Sequence, residues 1–119
     1  MNHTTNGFTV ASHFADKTPN VRKIYDQLLK RLRKVGPFAE DPKKTSIHLV
    51  NVTALAGVAT RKDSLVLTIK SDRPLKSSRI HKSEQTSARR FHHEVILAAP
   101  ADIDDELMEW LTDAYALSA

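Results

Sequence analysis

Cysteine is absent from this chain. Disulfides, thiolate zinc sites, iron–sulfur clusters and a cysteine nucleophile are all excluded. No apolar run approaches the ~20 residues that a membrane-spanning helix needs. The opening MNHTTNGFTVAS lacks the basic start and apolar centre of a secretory signal. A cytoplasmic protein without membrane contact is the expectation. No internal repeat, low-complexity segment or domain boundary interrupts the sequence. After Arg90 there is no lysine or arginine at all.

What is present describes one ordinary globular domain. At 119 residues, 27% charged and 40% apolar, the chain is long enough to close a single core without staples. We expect a loose leader over residues 1–12 and one domain over 13–119. The net charge of +4 conceals an asymmetry. Six acidic residues fall between Asp102 and Asp113, and setting them aside leaves 18 basic residues against 8 acidic, a balance of +10. Such a body attracts nucleic acid, nucleotides or phosphates. Solubility, or attraction between a basic helix and an acidic one, explains the same charges.

Both ends of a first helix are written in KTPNVRKIYDQLLKRLRKVGP. Thr18 suits the N-cap, Pro19 the first helical position, Gly36 a left-handed stop, and Pro37 blocks continuation. Val21, Ile24, Tyr25, Leu28, Leu32 and Val35 form one apolar stripe. From Pro37 to Ala99 the period becomes two. KTSIHLV sets Thr45, Ile47 and Leu49 against Lys44, Ser46 and His48. LAGVATR is a weaker strand whose small residues suggest close packing. In LVLTIKS, Leu65, Leu67 and Ile69 face one way. RIHKSEQ reads as a polar strand near an edge, RFHHEVILA as the most apolar strand, and FAED as a short addition. Pro100 opens a second helix with Asp102 as its expected cap and Ile103, Leu107, Trp110, Leu111 and Ala114 on its buried stripe.

The order helix, four to six strands, helix predicts an α+β two-layer sandwich. Both helices pack on one face of an antiparallel sheet, and the other face stays open. In RFHHEVIL the alternation sends Phe91, His93, Val95 and Leu97 under the helices, and Arg90, His92 and Glu94 outward.

Three runs carry a family likeness: HFADKTPNVRKIYDQLLKRLRKVGPFAEDPKKTSIHLV, GVATRKDSLVLTIKSDRPL and RRFHHEVILAAPADIDDELMEWLTDAYALS. Over about His13 to Ser118 the chain resembles the bacterial family of domain of unknown function 5655. The likeness is densest at PKKTSIH and RFHHEV. The resemblance implies a helix–sheet–helix fold with a layout similar to frataxin-like domains, and it brings no established chemistry.

The outward row carries the candidate chemistry. Lys44, Ser46, His48, Thr68, Lys70, Arg90 and His92, with loop residues Lys43, Arg61, Lys62 and Arg89, supply the donors that phosphate oxygens need. A non-enzymatic module binding nucleic acid or a phosphorylated small molecule is the leading expectation. The row lacks aromatic residues on which bases stack, so any nucleic-acid contact would be backbone electrostatics. The alternative is a protein-interaction or homodimer face. A third reading makes His48 and His92 the acid and base of a small hydrolase or nuclease, beside Lys44, provided their strands are adjacent. His48, His92 and Glu94 are the corresponding metal candidates. No spacing motif supports them, so neither metal nor cofactor is expected. His93 reads as a satisfied core histidine.

Overall fold

The computed structural model describes residues 8–119. Its elements run α1 (Pro19–Leu32), β1 (Ala39–Pro42), β2 (Ile47–Val50), β3 (Ala54–Thr60), β4 (Leu65–Ser71), β5 (Ile80–Ser87), β6 (Arg90–Leu97) and α2 (Asp105–Leu117). Short 3-10 turns at Ala11–Phe14 and Pro100–Asp102 precede the two helices. Residues 1–7 of the expected leader lie outside the described residues. Of the described residues 8–12 of that leader, Val10 packs against the core.

The apolar stripes form the helices as expected. Val21, Ile24, Tyr25, Leu28, Leu29 and Leu32 of α1 are buried, as are Leu107, Met108, Leu111 and Ala114 of α2. All of these except Val21 join one core with Ile47, Leu49, Val58, Leu65, Leu67, Ile69, Val95 and Leu97 from the sheet. Both helices therefore cover the same face, which is the predicted two-layer α+β arrangement.

Three end signals act differently from their sequence reading. Thr18 occupies the N-cap position, yet its hydroxyl donates to the Asp63 carboxylate in the β3–β4 turn and leaves the helix uncapped. Gly36 is no left-handed stop. α1 ends at Leu32 with Arg33 still in right-handed geometry. Gly36 instead makes room for Tyr115: an added Cβ would collide with its phenol, which donates to the Pro37 carbonyl at 2.6 Å. Asp104, not Asp102, caps α2 by accepting from the Leu107 amide at 3.0 Å. Asp102 sits one turn earlier and accepts from the Ala98 and Ala99 amides.

All six strands join one antiparallel sheet in the order β1-β2-β3-β4-β6-β5. β4 and β5 flank β6 and hence run parallel, so residues 72–79 must cross β6. The crossing is pinned on the helix side. Arg73 reaches Asp113 at 3.0 Å, and Arg79 reaches Asp104 at 2.6 Å and the Asp102 carbonyl. Arg31 of α1 likewise holds Asp105 at 2.8 Å. The acidic second helix thus spends much of its charge on arginines within the fold. β5 is an edge strand, exposed along nearly its whole length, as its polar sequence implied.

Candidate functional site

Register, more than any single residue, builds the open face. Across the whole sheet Asp41, His48, Gly57, Thr68, Glu94 and Lys82 stand in one row. The neighbouring row holds Lys70, His92 and Glu84. On its other side Ala59, Val66 and Ile96 align. Strand alternation puts all these side chains opposite the helices.

Along the middle of β3 the residues on this face, Gly57 and Ala59, are small, and the strand lines the trough from Ala54 to Ala59. The taller residues of β2, β4 and β6 stand above it as walls. The result is a trough of about 260 Å³ lined by Ser46, His48, Thr68, Lys70 and His92 over the β3 backbone. The small residues of LAGVATR were expected to accommodate something packing close by. The helix side of this strand is covered, with Leu55, Ala56 and Val58 in the core and Thr60 donating to the His13 carbonyl at 2.6 Å, while Gly57 and Ala59 leave the floor of the trough open.

Lys70 carries the charge of the trough. Its ammonium donates to the Thr53 hydroxyl at 2.9 Å. Among the described residues no carboxylate lies within ion-pair reach of it. Burial, and then the nearby Arg90 guanidinium, hold its pKa below the usual lysine range. Both causes act against the charged form, and an anion placed beside Lys70 would relieve them.

The expected binding residues separate into groups. Ser46, His48 and His92 line the trough, with Arg90 close to its Lys70 end. Arg90 donates to the Arg89 carbonyl at 2.9 Å, and Arg89 stands exposed in the β5–β6 turn. Lys43 and Lys44 occupy the β1–β2 turn and Arg61 the β3–β4 turn, at the opposite end of the sheet from Arg90. Lys43 is paired with Asp41 at 3.0 Å, and its carbonyl accepts His13 Nε2 at 2.8 Å. These turn residues are not part of the trough lining.

Two expectations fail on topology. The hydrolase reading required His48 and His92 on adjacent strands, but β3 and β4 intervene between β2 and β6. At ~4.8 Å per strand the two backbones are roughly 14 Å apart, so the histidines form no close acid–base pair. The same separation breaks up the metal set of His48, His92 and Glu94. Among the described residues no group of three or more histidine or acidic side chains could hold a metal ion. The nearest acid to His48 in register is Asp41 on β1, which sequence spacing did not suggest and which is occupied by Lys43.

His93 shows the other side of the same strand. It is 1% exposed. Its Nε2 lies 3.2 Å from the Arg73 carbonyl and its Nδ1 2.8 Å from the Ser83 hydroxyl. A carbonyl only accepts, so Nε2 carries the proton and donates; in the neutral ring Nδ1 then accepts from Ser83. His93 therefore ties the 72–79 crossing to the edge strand and faces away from the trough.

Comparison with known proteins bears on the domain as a whole. The pattern of one family, described as "Domain of unknown function (DUF5655)", matches residues 10–118. The chain belongs to this family. No curated protein and no solved structure is detectably similar to it. The DUF5655 match runs through both helices and all six strands, so every residue of the trough lies inside the family's domain. No helix among the described residues is long and apolar enough to cross a membrane.

Proposed function

We propose that this domain is a small, non-enzymatic, cytoplasmic binding module that takes an anionic ligand, nucleic acid or a phosphorylated small molecule, on the open face of its sheet. The observation that carries this reading is Lys70: a cation half-buried at the end of a trough, beside Arg90, with no carboxylate partner among the described residues. Ser46, His48, Thr68 and His92 add neutral donors along the same concavity. Oxyanions are recognised by such sets of charged and neutral donors. The separation of His48 from His92 counts against acid–base catalysis.

Covering of the same face by a second copy or another protein is less well supported. Val52 is the one large hydrophobic described residue that stands exposed, at 73%, and a stable interface needs an apolar centre. Titration with inorganic phosphate and with single- and double-stranded oligonucleotides across a salt series tests the anion reading. Polyanion binding should weaken steeply as salt rises, through counterion release. Absence of binding to every probe at low ionic strength would remove it.

A further inference from the structure

The trough is cationic at one end and apolar along its floor, and this division narrows what fits. Lys70 is the single lysine or arginine among its lining residues, and only Arg90 stands nearby to reinforce it. Lys43, Lys44 and Arg61 lie in turns at the far end of the sheet, and Lys43 is already neutralised by Asp41. A polynucleotide is held by cations repeated along its backbone and by aromatic residues on which bases stack. The lining offers neither.

The floor supplies the second observation. Gly57 sits in the middle of β3, between His48 and Thr68. Glycine inside a strand weakens it, so some gain normally accompanies it. Steric exclusion is not that gain: a Cβ at Gly57 would meet only His48 Cδ2, at an ordinary 3.8 Å. Its backbone is not in the left-handed region either. What glycine preserves is open space above the central strand, continued by Ala59. The volume of the trough, about 260 Å³, lies just below the ~300 Å³ lower limit of common small-molecule sites.

We infer that the trough binds a small amphipathic anion, one oxyanion group on a flat apolar ring, with the oxyanion against Lys70 and Arg90 and the ring lying over Gly57 between His48 and Thr68. This rests on the anion-binding reading and specifies its ligand class and pose. The Ser46 and His48 end then faces neutral polar substituents of the ring.

Phenyl phosphate, inorganic phosphate and a short oligothymidylate are the probes, measured by calorimetry at low and moderate salt. Phenyl phosphate should bind about tenfold or more tightly than inorganic phosphate, because only it covers the apolar floor. Gly57→Val should abolish that preference and leave the weaker phosphate binding in place. Lys70→Met should weaken both ligands about tenfold or more. In the unaltered protein, phenyl phosphate but not inorganic phosphate should shift the amide resonances of Gly57 and Thr68, which decides the pose even if Gly57→Val does not fold. Equal binding of the two phosphates, or a preference that survives Gly57→Val, overturns the inference. Oligothymidylate binding that exceeds phenyl phosphate binding and ignores Gly57→Val overturns it as well, while leaving an anion-binding face intact. No binding of any probe overturns both readings together.

Discussion

His92 and His93 are neighbours in the chain and inhabit opposite sides of one sheet. His93 is enclosed, with both ring nitrogens paired to groups of the fold. His92 borders an open trough beside a lysine that has no acid partner among the described residues. The same contrast holds for whole faces. On the helix side, Arg31, Arg73 and Arg79 meet Asp105, Asp113 and Asp104, and polar groups are spent on fastening elements together. On the open side, Lys70 and Arg90 crowd each other, and neither forms an ion pair among the described residues.

The sharpest way to break this comparison is at His93. Replacing it with Ala should leave a cavity and strand the Arg73 carbonyl, costing roughly 1–4 kcal/mol in a denaturant melt. A smaller loss than that of His92→Ala would mean that the two faces have been exchanged by a one-residue slip.

Asp104 tests how far the helix side depends on its own charges. The Leu107 amide, and then the Arg79 guanidinium, outweigh partial burial and hold its carboxyl below the ordinary value of 3.8. A carboxyl with a lowered folded pKa stabilises the fold above its unfolded pKa, and that contribution fades as pH falls through the folded one. Asp104→Asn keeps a good N-cap but removes the titration. Its melting temperature should therefore fall less than that of the unaltered protein as pH is lowered below about 4. Parallel acid limbs for the two proteins would show that Asp104 contributes nothing to acid sensitivity.

The smallest effect is expected at His92. Its replacement by Ala should change stability by about 0.5 kcal/mol or less and yet weaken the binding of phosphate probes. Unchanged binding by His92→Ala would confine recognition to Lys70 and Arg90.

Much of the fold was legible because its signals are local. Pro19 and Pro37 bracket α1, the three- and four-residue spacing of Ile24, Leu28 and Leu32 marks its buried face, and alternation sorts Ile47 from His48 and His93 from His92. These follow from backbone geometry within a few residues. Gly36 misled because the reason for its small size lies 79 residues away, at Tyr115. Asp102 misled because it, Asp104 and Asp105 are all competent caps, and only the 3-10 turn at Pro100–Asp102 selects Asp104.

The sequence by itself determined the α+β class, the two faces of the sheet and the outward row of donors, because side-chain direction repeats every two residues along any strand. Only the tertiary structure decided which members of that row meet. The intervening strands β3 and β4 part His48 from His92, and the crossing at 72–79, which sets β6 beside β4 and β5 outside it, brings Arg90 near Lys70. Strand order depends on long-range pairing, which side-chain alternation within a strand does not encode. The trough arises in the same way: the small residues of β3 become a floor only once taller neighbours stand on either side.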